Sequence, residues 1–455
     1  MLAMLYLVSH LDRANIGNAK IEGLEKDLNL DDLQYNIVLS LFFIPYILLE
    51  VPSNILLRRF TRPSVYLGIL VTSWGVMMTL HGVVKNFAGL LTVRLILGVF
   101  EAGFYPAAVY LCTAWYMPQQ LATRISYFYC SSALSGAFSG LLAAGIAQMR
   151  GVGGYEGWRW IFILEGLFTV LLGIACFFLL IDSPRLSGSW LSTDEIRFLE
   201  LQHFVKQGGR SSDEANDDKF NWYDLRMVLT NWRLYFVGYT GFCASACSYG
   251  TKFTLPSIVK GMGFDNTKAQ LMTAPPYIAG ACSSVFFARL SDHFHWRMPF
   301  VAIPFCLITT GYAIVSSFQG DLAGPNTGPG YFALVVACMG IYPLTPASSS
   351  WVAGNLAPTG RRAIGLAFNV CLGNTGGIIG SYMYLEREAP TYQTGFGLSL
   401  ALGASGIVVA LVLELSYKWG NDRKASVSEE EVRSKYSEDE LIQMGDKSPL
   451  FKYTL

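Results

Sequence analysis

An Arg and a Glu interrupt an otherwise apolar segment at residues 88–115. Arg94 and Glu101 are seven residues apart, nearly two turns of a helix at about 3.6 residues per turn, so both side chains point the same way. Gly98 lies between them on the same face, where the missing side chain lets another helix approach closely. An Arg attracts an anion or holds a carboxylate ionised, and a partly desolvated Glu takes up a proton more readily than one in water. The alternative is a buried ion pair that only orients two helices.

Asp12 and Arg13 form a second charged pair in an apolar segment. Neighbouring residues of a helix point about 100° apart, so these two side chains cannot serve the same partner. We interpret Asp12 as a proton-binding site and Arg13 as a clamp for a substrate carboxylate, because a planar guanidinium matches the geometry of a carboxylate. The alternatives are a salt bridge between the two residues and a bridge from Arg13 to another acid.

Two neutral polar side chains are further substrate-binding candidates. Asn374 lies among small residues in the segment 372–377, which leave its amide accessible to a substrate; the alternative is a hydrogen bond between helices. Tyr46 follows Pro45, where we expect a helix to kink, and its hydroxyl either lines a cavity or packs in the core. The last six apolar segments hold almost no charged residue, so neutral groups take that place there.

Two other acids in apolar segments are weaker candidates. We predict structural roles for both, because each lies near the end of its segment and close to Arg residues. Glu50 is expected to pair with Arg58 or Arg59, and Glu165 with Arg159.

Charged residues of this kind require a fold with an internal cavity. An Asp, Lys or Arg at the centre of a membrane helix costs roughly 2.5–3.5 kcal/mol, so such residues usually face a cavity and pair there. Hydrophobic residues make up 52% of the chain and charged residues 15%, against about 25% charged in soluble domains. A spanning helix needs about 20 mostly apolar residues. Twelve segments have that length: 1–19, 33–57, 64–84, 88–115, 123–148, 158–181, 232–256, 267–288, 298–318, 330–354, 362–384 and 396–419.

Two polar stretches organise these segments. Residues 182–231 separate them six and six, and residues 420–455 form a charged tail that we expect to be partly disordered. We therefore predict an all-α membrane protein of two six-helix bundles, at 1–181 and 232–419. Lys and Arg concentrate in the loops on the side of the central stretch and the tail, which places both termini in the cytoplasm. The chain starts within an apolar segment that lacks the features of a signal peptide, so we expect a truncated or alternative start.

Composition and motifs argue against several other classes of function. The 33 basic and 33 acidic residues cancel, whereas nucleic-acid binding needs a basic face. The nine Cys residues are scattered without paired spacing, so we predict neither a disulfide framework nor a metal site. The chain has no Walker A, His-Glu-x-x-His or Gly-x-Ser-x-Gly element, which argues against an enzyme and against a bound cofactor.

A family resemblance rests on five motifs that occur in order. They are LDRANIGNA at 11–19, RLILGVFEAGF at 94–104, GWRWIFILEG at 157–166, LPSIVKG at 255–261 and GNTGG at 373–377. Through most of its length the chain resembles the major facilitator superfamily and, within it, the fungal anion:cation symporters, which are permeases for allantoate, nicotinate and related carboxylates. The first half resembles the nicotinate-permease branch most.

The resemblance implies a major facilitator fold and roles for several residues. Two bundles would enclose a central cavity that opens to each side of the membrane in turn as the bundles rock. In related organic-anion transporters, the positions matching Asp12 and Glu101 are proton-binding carboxylates. The positions matching Arg13 and Asn374 are associated with the substrate, and Arg94 matches the Arg of the helix 4 motif.

The superfamily's gating motif is present in two unequal copies. The first copy, after the second segment, has Ser53 and Leu57 where the family usually has a Gly and an Asp. The second copy survives better in residues 289–293. The resemblance therefore implies that Asp292 and Arg289 are gating residues, with Asp292 pairing with a nearby Arg or a helix N-terminus.

Together these residues predict a proton-coupled importer of a small carboxylate, such as a nicotinate-like vitamin or metabolite. Asp12 and Glu101 take up protons while Arg13 holds the anion, and neutralising the cavity lowers the energy of closing around both. We expect a monomer in the plasma membrane whose partners are the organic anion, protons and the bilayer. The alternatives are an exporter of a metabolite or drug, and a nutrient sensor that binds without transporting.

Overall fold

The helices are given by a computed structural model, which describes the chain apart from residues 58, 116–117, 183–185, 187–190, 207–221, 295, 358, 438–439 and 442–443. The first helices are α1 (Leu2–Ile21), α2 (Leu24–Asp27), α3 (Asp32–Leu57), α4 (Pro63–His81), α5 (Phe87–Glu101), α6 (Phe104–Trp115), α7 (Pro118–Ile146), α8 (Gly157–Leu179) and α9 (Thr193–Lys206). From residue 222 onward they are α10 (Trp222–Leu229), α11 (Trp232–Gly261), α12 (Asn266–Leu271), α13 (Ala274–Phe294), α14 (Pro299–Ser317), α15 (Thr327–Asn355), α16 (Thr359–Met383), α17 (Gln393–Ala425) and α18 (Glu429–Lys435).

Each of the twelve apolar segments predicted from the sequence falls on one of these helices or on two consecutive ones. In the described residues, ten stretches are long and apolar enough to cross a membrane. The helices α1 and α11 are also long, but they include the charged residues Asp12, Arg13 and Lys252. Large apolar side chains such as Leu171 and Phe178 are exposed, as expected where helices face lipid. A helix satisfies its own backbone hydrogen bonds, which lipid cannot do.

The chain forms two compact units. The first comprises Met1–Lys219 and Lys252–Pro275, and the second comprises Phe220–Thr251 and Pro276–Leu455. The division therefore falls within α11. The bundle bounds expected from the sequence stay predictions.

In the first unit, α4 and α8 lie against each other with glycines at the contact. A Cβ at Gly75 would lie 2.7 Å from the backbone N of Val170, and one at Gly173 would lie 2.6 Å from the backbone N of Thr72. Side chains larger than hydrogen are therefore excluded at both positions. Because α1 packs against α7 and α8, this contact also fixes the groups that surround α1.

Gly98 has the effect that the sequence predicted. A Cβ at this position would overlap the carbonyl oxygen of Phe42 and lie 2.9 Å from the ring of Pro45, so α3 and α5 approach closely. Arg94 and Glu101 are buried on the same face of α5 as Gly98, which confirms the prediction that the two charged residues share a face.

In the second unit, α14 packs against α15 and α17. A Cβ at Gly311 would lie 2.6 Å from the carbonyl oxygen of Ala333, which brings α14 and α15 into backbone contact. The helix α16 packs against α10 and α15. It carries Asn374.

The end of the tail folds back onto the second unit, so the expectation of disorder is wrong for the described residues there. Tyr453 exchanges two hydrogen bonds with Asn421, at 2.8 and 2.9 Å. Thr454 and Asn355 also exchange two, at 2.8 and 3.0 Å. The aromatic ring of Tyr453 lies 4.0 Å from the ammonium of Lys424. A composition rich in charge predicted disorder, but aromatic residues and paired amides give this segment specific partners.

Candidate functional site

The centre of the candidate site is an ion pair between α1 and α5. Arg13 donates through Nε to Oε1 of Glu101 at 2.7 Å, and the two side chains are only 6% and 1% exposed. The hydroxyl of Ser9 donates to the same oxygen. The other oxygen of Glu101, Oε2, is buried and accepts no hydrogen bond from the described residues. One oxygen is thus engaged by the cation, and the other is available to a proton.

The guanidinium of Arg13 stacks on two aromatic rings of α3. Its central carbon lies 5.1 Å from the ring centre of Phe42 and 4.6 Å from that of Tyr46. Such cation–π contacts hold an Arg in place without consuming hydrogen bonds. Tyr46 therefore reaches the site through its ring. The sequence had left open whether its hydroxyl lines a cavity or packs in the core.

Asp12 lies in a separate hydrogen-bonded environment. Its side chain is buried, and Oδ2 accepts hydrogen bonds from the indole N–H of Trp74 on α4 at 3.1 Å and from the hydroxyl of Thr169 on α8 at 3.3 Å. Its Oδ1 is buried without a partner in the described residues. Of the alternatives left open by the sequence, the bridge from Arg13 to another acid, Glu101, is the one that forms.

Arg94 is buried on α5 without saturating its donors. Its Nε and Nη2 atoms have no hydrogen-bond partner among the described residues. Glu101, Asp12 and Tyr35 lie within electrostatic range of it. The unused N–H groups of Arg94 can therefore hold an acceptor.

Glu165 joins this polar region, and the predicted pairing with Arg159 is wrong. Asn15 donates to Glu165, and Arg159 instead pairs with Asp27 at 2.8 Å. Residues six positions apart on a helix are about 240° apart, so the two side chains of α8 point in different directions. Thr169 links the two regions, since it also donates to the carbonyl oxygen of Glu165 at 2.9 Å.

Glu50 is buried on α3, within electrostatic range of Tyr105. Arg58, one of its two predicted partners, lies outside the described residues, and Arg59 is exposed.

Lys252 is the charged residue that sequence reasoning missed. It lies on α11 with 2% of its surface exposed, and its Nζ is 3.4 Å from Nδ1 of His10. Arg13 and Glu101 are within electrostatic range. The last six segments were expected to hold almost no charge, yet Lys252 falls inside the predicted segment 232–256. The criterion that selected Arg94 would have selected it too.

The remaining candidates belong to the second unit. Asn374 is half-buried on α16, and its role in substrate binding stays a prediction. Asp292, at the end of α13, accepts a hydrogen bond from Nη1 of Arg297 at 2.9 Å, and its side chain is 54% exposed. Arg289 is exposed one turn earlier on the same helix.

Chemically, the first unit offers proton acceptors next to cations. Each of three buried carboxylates, those of Asp12, Glu101 and Glu165, has one oxygen that no described residue bonds. In the described residues, no group of three or more His, Cys, Asp or Glu side chains is arranged to hold a metal ion. The arrangement is therefore suited to moving protons and binding an anion.

Residues 2–381 match the sequence model of the Major Facilitator Superfamily. The chain is 34% identical over 462 residues to MFS-type transporter cnsO of Penicillium expansum, with 100% of this chain and 88% of the relative covered. It is 32% identical over 456 residues to the high-affinity nicotinic acid transporter of Saccharomyces cerevisiae, with 100% and 82% covered.

A solved structure has the same fold. The crystal structure of a bacterial homologue of the human lysosomal transporter Spinster, inward-facing and unoccupied, superposes with a TM-score of 0.66 at 15% identity, covering 90% of this chain and 94% of that one. At this identity the likeness concerns the fold alone. With the family match, the long apolar helices and the buried charges, the conclusion is that the chain belongs to the major facilitator superfamily and is a multi-pass membrane protein, a secondary transporter and not an enzyme.

Proposed function

We propose that this transporter is a proton-coupled symporter of a small organic anion and belongs to the fungal anion:cation symporters. The observation that carries the proposal is the buried pair of Arg13 and Glu101, joined at 2.7 Å. Arg13 is the clamp for the substrate carboxylate, and Glu101 occupies that clamp when the site is empty.

The coupling follows from the charge of this pair. With both groups ionised, Glu101 occupies the guanidinium of Arg13, so an arriving anion would have to compete with a buried carboxylate for the same cation, which is costly away from water. A proton on Glu101 weakens its hold on Arg13, and the charge of Arg13 is then neutralised by the anion. Loading with proton and loading with anion therefore favour each other, which is a reciprocal coupling.

Asp12 is the second proposed proton site. It is buried beside α4 and α8, and Arg94 and Glu101 are both within electrostatic range. A buried carboxylate without a salt bridge favours its protonated form while the site is closed and its ionised form once water enters. Asp12 would thus bind a proton from outside and release it to the cytoplasm as access alternates.

A flat aromatic organic acid with a nicotinate-like ring is the substrate class we propose. The rings of Phe42 and Tyr46 beside Arg13 suit a flat aromatic acid, since aromatic rings stack favourably. The relative from Saccharomyces cerevisiae that is described as a nicotinic acid transporter supports the same class. Asn374 is a further substrate-binding residue in this proposal.

We further propose that the protein works as a monomer in the plasma membrane with both termini in the cytoplasm. The pair of Asp292 and Arg297, together with Arg289, would then form the cytoplasmic gate. Arg297 also donates to the hydroxyl of Ser291 at 2.7 Å. Opening this gate would therefore break the hydrogen bond from the guanidinium of Arg297 to Asp292 while its hydrogen bond to Ser291 can remain.

The test is uptake of a radiolabelled carboxylate panel, nicotinate included, into proteoliposomes of the purified protein. An acidic outside is expected to drive accumulation above equilibrium. Glu101→Gln is expected to abolish that accumulation while leaving exchange of labelled for unlabelled anion. Uptake that does not depend on the pH gradient, with transport intact in Glu101→Gln, would overturn the proposal.

Inside-out vesicles distinguish import from export, and binding without flux would indicate a sensor.

A further inference from the structure

Lys252 and His10 form a buried cationic position beside the proposed clamp. Both lie in the first unit, and both are nearly inaccessible, at 2% and 6% exposed. Nζ of Lys252 lies 3.4 Å from Nδ1 of His10. In its ammonium form Lys252 has no lone pair, so Nδ1 then accepts the hydrogen bond and the imidazole is neutral with its proton on Nε2. The ring of Tyr6 meets this imidazole edge-on at 4.5 Å and so fixes the direction of the acceptor.

Among the residues that the structure describes, no carboxylate forms an ion pair with Lys252. Its hydrogen-bond partner is a neutral ring, and the charged groups within electrostatic range are Arg13 and Glu101. Glu101 is already the partner of Arg13. When all three groups are ionised, this cluster carries one uncompensated positive charge. In a membrane helix such a charge is costly and usually marks a site for a ligand or ion.

Building on the proposed symport, we infer that Lys252, oriented by His10, is a second anion-binding position and that the preferred substrate is a dicarboxylate. One carboxylate binds Arg13 and the other binds Lys252. The requirement for two separate anchors selects against an anion with a single acidic group.

The charges of the loaded site then balance. Arg13 and Lys252 contribute two positive charges, the substrate two negative charges, and protonated Glu101 none. The proton on Glu101 enters from the external water with each dianion and leaves to the cytoplasm with it, in addition to the proton carried by Asp12, and no bond of the substrate is broken. A monocarboxylate in the same site leaves the charge of Lys252 unmatched, so its binding forgoes that interaction.

The experiment compares anions that share a skeleton and differ by one carboxylate: butyrate with succinate, and benzoate with isophthalate. Binding to the purified full chain and uptake into proteoliposomes are measured for each. In the unmodified protein the dicarboxylate of each pair is expected to bind at least about 10-fold more tightly. Lys252→Met is expected to weaken dicarboxylate binding about 30-fold or more, as truncation of a buried charge partner does. It should change monocarboxylate binding by no more than about 3-fold.

Two further variants keep the test decisive. Lys268→Met removes an exposed lysine of the same unit and is expected to leave both affinities unchanged. Lys252→Arg keeps the charge, so the preference for dicarboxylates should survive in this variant. If Lys252→Met fails to give a monodisperse protein, loss of the preference in Lys252→Arg would refute the second position. An equal loss for both members of each pair in Lys252→Met would overturn the second position.

The outcomes also separate this inference from the symport itself. Proton-driven uptake of monocarboxylates without any preference for dicarboxylates refutes the second position and leaves the symport standing. A protein that binds and transports none of these carboxylates refutes both.

Discussion

Trp74 on α4 donates its indole N–H to Asp12 on α1 at 3.1 Å, across 62 positions of sequence. The hydroxyl of Thr169 reaches the same carboxylate oxygen from α8. The carboxylate of Asp12 thus connects α1, α4 and α8 at a buried position, where neither lipid nor bulk water supplies a hydrogen bond. This hydrogen bond has a role in stability that is measurable apart from transport.

Trp74→Phe retains most of the ring and removes the donor. Because a buried carboxylate then loses a partner, we expect the free energy of unfolding to fall by about 1–3 kcal/mol, read as a lower melting temperature in detergent. The matched control is Trp160→Phe, whose indole donates to the carbonyl of Val152 at a more exposed site, at 3.1 Å. A loss of equal size in both variants would contradict a special role for the contact with Asp12.

Gly98→Ala tests the close approach of α3 and α5. The added methyl group would overlap the carbonyl oxygen of Phe42, so the helices must separate at a cost of about 1–3 kcal/mol. We expect a lower melting temperature together with weaker carboxylate binding, because Phe42 also stacks on Arg13. Thermal unfolding and ligand binding on the same preparation measure both effects.

Gly145→Ala is the control for that substitution. A Cβ at Gly145 meets no heavy atom within 4 Å, and Ala is favoured over Gly in a helix by up to about 1 kcal/mol. Its stability should be equal or slightly higher. If Gly145→Ala were as damaging as Gly98→Ala, an effect common to both added methyl groups, such as a changed lipid contact, would be the cause instead of the overlap with Phe42.

Glu22 lies outside the membrane-spanning segments, and its ionisation is expected to make the stability of the protein depend on pH. Burial raises the pKa of Glu22 above its ordinary value of 4.5, while Lys260, the hydrogen bond from Gln270 and Arg150 oppose the change. The folded protein therefore holds this proton more tightly than the unfolded chain. The resulting stabilisation is fully present below the ordinary pKa and is lost as the pH rises through the raised pKa.

Glu22→Gln removes the ionisation and keeps an oxygen that can accept the hydrogen bond from Gln270, 3.1 Å long in the parent protein. We expect the variant to match the parent in melting temperature at acidic pH and to exceed it near neutrality. Glu430→Gln, at an exposed position of α18, should give no such divergence. A difference between Glu22→Gln and the parent that stays constant over the pH range would exclude this explanation.

Asp446→Asn tests the docking of the tail. Arg361 is buried, with its side chain 3% exposed, and it pairs with Asp446 at 2.5 Å and with Asp224 at 3.3 Å. Neutralising Asp446, the nearer of the two carboxylates, is expected to lower the free energy of unfolding by about 1–3 kcal/mol. It should also make the last residues more sensitive to trypsin. Timed digestion and thermal unfolding follow the two effects.

Glu429→Gln provides the comparison for the tail. It removes an exposed ion pair with Arg433. The side chain of Arg433 is 55% exposed and that of Glu429 is 65% exposed. Such pairs contribute about 0.5 kcal/mol or less, so digestion should be unchanged. Equal protection of the tail in Asp446→Asn and the parent would mean that Arg361 does not hold it.

The sequence predicted the helices and the charged face of α5 well, for a physical reason. Charges are rare in apolar segments, so Arg94 and Glu101 stand out, and helical periodicity alone puts them on one face. The joining of Arg13 to Glu101 depends on how α1 meets α5, across 88 positions of sequence. Periodicity within one helix carries no information about that contact.

Neutral partners were harder to anticipate than charged ones. Trp74 and Thr169 are ordinary residues of apolar segments, and only the packing of α4 and α8 on α1 turns them into donors to Asp12. Lys252 is a different case, because it meets the criterion of a charge in an apolar segment. Its partner His10 could be found only from the contact between their helices.

The glycine contact between α4 and α8 has a meaning for genetics. At Gly75 and Gly173 the opposing backbone nitrogens would lie 2.7 and 2.6 Å from any added carbon, so every missense change there must enlarge a place already filled. Neighbouring lipid-facing sites such as Leu171 and Phe178 are exposed and should accept many replacements. Among natural alleles of this gene, we expect many amino-acid replacements at Leu171 and Phe178. We expect almost none at Gly75 and Gly173.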